Sequence, residues 1–415
     1  MTDRKSAIET KLIHAGEPRP RFQGAVTLPI FQTAMFEYGG ESDYNDLRYI
    51  RLNNTPNHLA LHQKLASLEN AEDALVTSSG MAAITTSLLT VLSAGDHLLA
   101  QNSLYGGTLT FVGQELGRFG IAYDFVDATD PSTWKGKLRP NTKAFYVESM
   151  SNPLLQVADL KEVVRFAKEH GLVSLIDNTF PSPVNFRPAE HGFDLSLHSA
   201  TKYLNGHTDI VAGAVIGRAA LITSIRHKLN HLGGSLDPHA CFLLQRGLKT
   251  LALRIRQQGT SALEIARQLE KSPAVRRVNY PGLESHPHHR RARELFDGFS
   301  GMLSFEIEGG VEAAERFMEA VTIPVSAPSL GGPESLVTRP ATTSHAGVDS
   351  EERKRLGITD GLIRVSVGIE STDDLLADFE NALGVATSRR SGASKREGRA
   401  TSDARPPGGP SAGMH

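Results

Sequence analysis

The sequence has 415 residues, enough for a large buried core and two or three domains, which excludes a small fold stapled by disulfides or metal. Charged residues make up 22% of it and the net charge is -2, a balance that calls for neither nucleic acid nor an anionic membrane. Cys241 is the one cysteine, so there is no intrachain disulfide and no cysteine cluster for zinc or iron–sulfur, in keeping with a reducing cytoplasm.

Residues 1–60 show no clear hydrophobic period and are expected to form an extended arm. The opening MTDRKSAIETK carries charges where a secretory signal needs apolar residues, and no later stretch reaches about 18 uninterrupted apolar residues, so a soluble, cytoplasmic protein is expected. Residues 61–255 read as a large α/β domain. Within it the apolar runs ALVTS, HLLAQ, AYDFVD, KAFYVES, VSLID, LSLHSA and AGAVIG alternate with segments of helical period at Met81 to Leu92, Leu109 to Phe119 and Leu160 to His170. Each of those segments is stopped by a nearby glycine, and the alternation predicts a mainly parallel sheet covered on both faces. A long helical stretch follows from about Pro238 to Leu269. Residues 256–386 then read as a smaller C-terminal α+β domain, with strands at Met302 to Ile307 and Leu362 to Val367 and helices at Val311 to Val321 and Thr372 to Leu383. The last helix opens with Ser371 and Asp374 at capping-box spacing, Asp standing where Glu or Gln is usual. Residues 387–415 hold six basic residues against two acidic ones among Ser, Gly and Pro, and are expected to be a disordered basic tail rather than a nucleic-acid arm. No internal repeat is visible.

Three segments could carry chemistry. Leu172 to Thr179 is an apolar strand ending in Asp177; a buried carboxylate is costly unless it meets a cation, so Asp177 is either a turn or helix cap or the counterion of a protonated pyridine nitrogen. Ser199-Ala200-Thr201-Lys202 follows a second short strand. A lone lysine there is usually solvated, but two hydroxyls beside one amine, with GHTDIVAGAVIG after it, could hold a phosphate while the amine forms an imine with an aldehyde. Thr77-Ser78-Ser79-Gly80-Met81 turns a strand into a helix, where free N–H groups and the helix dipole favour an anion and Gly80 lets it approach. GxxxxGK[ST] and GxGxxG are both absent, which excludes a P-loop and a dinucleotide fingerprint.

In this order, and joined to Tyr105-Gly106-Gly107-Thr108, these segments resemble the cysteine and methionine metabolism family of pyridoxal 5'-phosphate (PLP) enzymes, from about Thr10 to Leu383. The family includes cystathionine γ-synthases and γ-lyases, methionine γ-lyases and O-acylhomoserine sulfhydrylases. SATKYLNGHTDIVAGAV is the most specific portion and LIRVSVGIE is nearly as telling. The resemblance implies the fold type I PLP-dependent transferase fold, with a seven-stranded sheet in the large domain. It implies Lys202 as the Schiff-base lysine, Asp177 as partner of the pyridine nitrogen, and Gly80, Met81, Ser199 and Thr201 as phosphate ligands. Tyr105 is then the aromatic that stacks on the ring and helps move protons, and Asn152, in ESMSNP, the residue near the ring hydroxyl. Arg364 and Ser329 match the holders of the substrate α-carboxylate, a task for which the guanidinium fork suits a bidentate partner. Tyr49 and Arg51, in YIR, match a pair that reaches the phosphate of a neighbouring subunit, implying a homo-oligomer, at least a dimer and usually a dimer of dimers. No metal is implied: His286, His288 and His289 match an SHPxH loop of the family. Cys241 and Trp134 read as packing residues.

The chain departs from the family pattern at several places. Tyr49 to His58 reads YIRLNNTPNH where Y-x-R-x-x-N-P-T is usual, and Met150 replaces a common Pro. Thr110 and Pro328 stand where cystathionine γ-lyases tend to carry an Arg and an acidic residue, and Arg48 stands where an acidic residue is frequent. Gly107 stands where methionine γ-lyases often have Cys. Loss of charged partners for a polar distal group shifts the expectation from cystathionine toward a smaller substrate. The expected reaction is α,γ-elimination on a methionine- or homoserine-type amino acid, giving 2-oxobutanoate and ammonia. The alternatives are γ-replacement on an O-acylhomoserine, γ-elimination from a non-sulfur amino acid, and, more remotely, a non-catalytic PLP-binding regulator.

Overall fold

The computed structural model describes residues 6–388; of the tail expected from 387 onward, all but Thr387 and Ser388 lies outside the described residues. Seven strands, β1 Asp73–Thr77, β2 His97–Gln101, β3 Ala122–Val126, β4 Thr142–Glu148, β5 Val173–Asp177, β6 Leu195–His198 and β7 Gly213–Gly217, form one sheet in the order β1-β7-β6-β5-β4-β2-β3. Strand β7 runs antiparallel to both neighbours; the other pairings are parallel. These are the seven expected apolar runs. They read as runs because both sheet faces are covered along most strands; the edge strand β3 is only half-buried. In β1, Ala74 and Val76 join a core shared with Val163 and Phe166, whereas Leu75 joins the opposite core with Ile84, Leu88 and Ile225.

A second sheet, of β8 Val275–Asn279, β9 Met302–Ile307, β10 Val325–Ser326, β11 Leu336–Thr338 and β12 Leu362–Ser366, has the order β10-β11-β12-β9-β8. The helices Gly310–Ala320 and Thr372–Thr387 share its core through Phe305, Phe317 and Phe379. The Ser371 hydroxyl accepts the Asp374 N–H at 3.3 Å, the cap its spacing predicted. Among the described residues no helix is long and apolar enough to cross a membrane.

Three elements differ from the sequence expectations. The arm is not wholly extended: α1 spans Ile8–His14, and α2, Pro56–Glu69, begins inside it. Helix α2 buries His58, His62 and Lys64 along with its leucines, which hides the helical period. The stretch from Pro238 is two helices, Pro238–Leu248 and Leu251–Lys271. The break follows Gly247, packed so tightly on Asn205 that a Cβ would lie 2.1 Å from its carbonyl oxygen. The segment expected as Leu109 to Phe119 starts earlier, at Gly106, and passes through a π turn at Phe111–Glu115 into a 3-10 turn at Leu116–Phe119. Gly113 and Gly117, poor helix formers, lie in that irregular stretch.

Candidate active site

The parallel strands end on one side of the large sheet, the side on which open α/β sheets bind ligands. Each strand hands its next residues to that side. The turn from β1 into α3 (Gly80–Val91) supplies Ser79, Gly80 and Met81, and the segment after β2 supplies Tyr105. Strand β4 and the turn beyond it supply Glu148, Met150 and Asn152, β5 supplies Asp177 and Thr179, and the loop after β6 supplies Ser199, Thr201 and Lys202. Ser329 and Arg364 arrive from the second sheet region. Together these residues line a cavity of about 670 Å³ that contains ten of the twelve expected site residues.

At its centre the Lys202 Nζ donates to the Ser329 hydroxyl at 2.7 Å. Burial, and then the nearby Arg364 charge, lower the lysine to about 8, so a sizeable share of the amine is neutral near physiological pH. Ser329 has φ 107°, a conformation costly for a side chain with a Cβ and of order 1–3 kcal/mol. In that conformation its hydroxyl meets Lys202 while its carbonyl accepts from the Arg364 guanidinium at 2.9 Å. Arg364 also donates to Asn152 Oδ1 at 3.2 Å, and its buried Nε has no hydrogen-bond partner. Burial brings it down to about 10, still a cation at neutral pH. A buried guanidinium facing only neutral acceptors, with a donor to spare, is a seat for an anion.

A second anion seat lies at the start of α3. The Ser79 hydroxyl caps the Ala82 N–H at 3.0 Å, leaving the first helical amides at the cavity wall. Gly80 permits close approach: a Cβ there would lie 2.8 Å from the Ser199 Cβ. The Ser199 N–H donates to the Thr179 hydroxyl at 2.9 Å, which ties the two loops together. The Thr201 hydroxyl also bonds within its own loop, accepting the Ala212 N–H at 2.9 Å and donating to its carbonyl at 3.1 Å.

Asp177 lies across the cavity floor. Its Oδ1 accepts the Thr179 N–H at 2.9 Å, and burial pushes its carboxyl above the usual range. Sequence reasoning missed a second carboxyl, Glu148, the register neighbour of Asp177 on β4. It too is a strand-ending acid, and that shared pattern was its signal. The Tyr105 ring rests against Gly107, where a Cβ would lie 2.6 Å from a ring carbon, so a side chain at 107 would move the ring.

Tyr49 and Arg51 are not brought into this cavity. Arg51 donates to the Asn230 carbonyl at 2.7 Å and to the Tyr44 hydroxyl, with its guanidinium 5.4 Å from the centre of the Tyr49 ring. Nor does the altered stretch Asn53 to His58 line the cavity of its own chain. Its polar groups knot the arm to the body instead: Asn57 bonds the Phe31 N–H and the Pro29 carbonyl, and His58 bonds Thr55 and the Leu236 carbonyl. Pro328 lines the cavity and Thr110 does not. His288 and His289 use their Nδ1 atoms on the Val157 N–H and the Pro281 carbonyl.

The residues therefore converge as an amine of lowered basicity, two neighbouring carboxyls, two anion seats and an aromatic ring. Comparison with known proteins places the chain in a family. Residues 9–384 match the family described as Cys/Met metabolism PLP-dependent enzyme. The cystathionine beta-lyase of Bacillus subtilis (strain 168) is 42% identical over 384 residues, covering 92% of this chain and 98% of its own. The L-methionine gamma-lyase of Pseudomonas putida is 41% identical over 384 residues, covering 90% and 96%. Among solved structures, cystathionine gamma-lyase from Lactobacillus plantarum complexed with L-serine superimposes with a TM-score of 0.87 at 38% identity, covering 92% and 99%.

Proposed function

This chain belongs to the Cys/Met metabolism PLP-dependent enzymes, and from that premise we propose that it catalyses α,γ-elimination on a methionine- or homoserine-type amino acid, releasing 2-oxobutanoate and ammonia. The observation that carries this reading is the lining of the cavity. Apart from Lys202, Arg364, Asp177 and Glu148 it is made of neutral side chains, among them Met150, Phe180, Val211, Pro328, Leu330 and Thr343, with no further charge to pair with the second amino-acid group of cystathionine. Such a lining favours an uncharged leaving group.

The residues fit pyridoxal phosphate. Gly80, Met81, Ser199 and Thr201 would hold its phosphate at the α3 N-terminus, Asn152 its ring hydroxyl, and Lys202 its aldehyde carbon. Asp177, whose carboxyl is raised by burial, would pair with the ring nitrogen and regain its charge from that contact. Bound there, the cofactor supplies an electron sink for the carbanion next to the substrate nitrogen. Arg364, with Ser329, grips the substrate α-carboxylate. The Lys202 amine would take the proton from the α-carbon, give it up again, and then take one from the β-carbon, and Tyr105, at the cavity wall, would supply a proton to the departing γ-substituent. Tyr49 and Arg51 would complete the phosphate seat of a second copy of the chain, in a homo-oligomer built as a dimer of dimers.

A second reading is β-elimination from cystathionine, the activity in the names of several relatives 42% identical to this chain. The test offers methionine, cystathionine, O-acylhomoserines with and without a thiol, and canavanine to the purified holoenzyme. 2-Oxobutanoate from methionine without added thiol is expected. Pyruvate from cystathionine, with no keto acid from methionine, would replace the first reading by the second; product only with thiol would replace it by γ-replacement.

A further inference from the structure

The floor of the cavity carries two carboxyls at the ends of neighbouring strands. Glu148 and Asp177 are register partners on β4 and β5 and both line the cavity, yet the chemistry proposed above uses only Asp177. The contacts of Glu148 lead the other way, to Tyr105. Its Oε1 accepts the Tyr105 backbone N–H at 2.6 Å, and its own N–H donates to the Gln101 side chain at 3.0 Å. Gln101 in turn donates to the Ser103 carbonyl at 2.7 Å. The turn from Gln101, the last residue of β2, to Tyr105, the cap of the helix Gly106–Thr110, is therefore stapled to the end of β4 at two points. One staple is the Glu148 backbone and the other is its side chain. Among the described residues no other side chain bonds the Tyr105 backbone, and the Tyr105 ring borders the cavity.

The surroundings of Glu148 hold no cation that engages it. The titratable groups facing it are Asp177 from β5, Tyr146 from β4 and Tyr105 itself, while Lys202 and Arg364 bond Ser329 and Asn152. The Tyr146 hydroxyl, two residues before Glu148 and so on the same strand face, is buried beside Thr108. Burial, and then Asp177, push the Glu148 carboxyl well above the usual carboxylate range. Two charged carboxylates on adjacent strands here would repel, and one pyridinium can balance only one of them.

We propose that Glu148 is a positioning residue that works as a neutral acid: its oxygen holds the Tyr105 amide and thereby fixes the Tyr105 ring over the cofactor, leaving the negative charge of the cavity floor to Asp177 alone. The proposal rests on the cofactor site described above. Glu148 acts through Tyr105, and charge is not what it contributes.

The test uses the holoenzyme and four variants, E148Q, E148A, Y105A and E148A/Y105A, with E148D as a further arm. E148Q keeps the acceptor oxygen and cannot ionise; E148A removes the acceptor. Three quantities are read: the dissociation constant of pyridoxal phosphate, the visible circular dichroism of the bound cofactor, and kcat apart from KM. E148Q should stay within about threefold of the parent with the same dichroic band, whereas E148A should lose about tenfold or more in cofactor affinity, as expected when the Tyr105 ring is no longer held in place for the cofactor. In the Y105A background, where the amide N–H remains but there is no ring for it to aim, E148A should cost less than about twofold more in cofactor affinity. Should E148A not fold, E148D replaces it, since its shorter side chain withdraws the acceptor and should lose affinity as E148A would.

E148Q falling as far as E148A would overturn the proposal by making the charge essential. So would an equal cost of E148A in the parent and Y105A backgrounds, or an E148D that matches the parent. Failure of the underlying site reading looks different: the K202A chain would keep the covalent cofactor band whatever stands at 148.

Discussion

In the proposed chemistry Lys202 is the residue whose protonation matters, and its environment sets the pH at which its amine is neutral. Its basicity is lowered from 10.5 to about 8, first by burial and then by Arg364. Below about 8 the amine is mostly charged and cannot attack an aldehyde, so capture of pyridoxal phosphate by the cofactor-free chain should quicken roughly tenfold per pH unit up to that point and then level off. Stopped-flow absorbance across pH 6 to 10 checks this, with Lys202→Met as the flat control. The stability of the cofactor-free chain follows the same sign. The unfolded lysine holds its proton up to about 10.5 and the folded one only to about 8, so this residue makes folding more favourable as pH rises through that interval. Lys202, taken alone, reads as a solvated lysine; the hydroxyls of Ser199 and Thr201 beside it, and the apolar strand that ends in Asp177, are what raised the two as candidates in the sequence. Glu148 ends its strand in the same way and went unread. Its meaning depends on Asp177 beside it and Tyr105 above it, and neither adjacency is visible along the chain.

At the scale of elements, covered sheets announce themselves and mixed surfaces do not. The seven strands of the large sheet were readable because burial on both faces leaves uninterrupted apolar runs. Strand β8 was not, since Arg276 and Arg277 stand in its middle, and β10 and β11 are too short to show a period. Helix α2 escaped for the opposite reason, its buried polar side chains being satisfied by partners that only the fold supplies, as when Lys64 donates to the Leu12 carbonyl at 2.8 Å. The junction of β1 with α3 gives a prediction at this scale. With a Cβ at position 80 only 2.8 Å from the Ser199 Cβ and 2.9 Å from its Cα, Gly80→Ala must push α3 away from the loop after β6. Pyridoxal phosphate affinity should fall about tenfold or more through loss of the phosphate seat, measured by equilibrium dialysis, while the far-ultraviolet dichroism of the variant stays that of the parent.

For the whole molecule, the arm is the part that the chain alone leaves unexplained. Val26, Met35 and Tyr38 are 69% to 75% exposed on it, and Tyr49 and Arg51 lie outside the cavity of their own chain. If Arg51 serves a neighbouring site, chains carrying Arg51→Ala and chains carrying Lys202→Ala should each be nearly inactive alone. Unfolded and refolded together, they should regain about a quarter of the parent activity, because one class of site then combines a good lysine with a good arginine. Equal inactivity of the mixture, assayed beside its light-scattering mass, would assign Arg51 to its own subunit. The sequence carried this expectation only through the YIR resemblance, as symmetry partners leave no periodic trace in a single chain. Within one cavity, the large sheet contributes Gly80 to Lys202 and the second sheet region contributes Ser329 and Arg364, and one strained serine joins the two sets. Ser329 holds the lysine with its hydroxyl and the arginine with its carbonyl, so recognition of a carboxylate and release of the amine pass through a single hinge. A passing amine that brings no carboxylate has nothing to offer Arg364 and leaves that hinge undisturbed. On the roles proposed above, the serine would act as a turnstile that answers to amino acids and not to amines without a carboxylate.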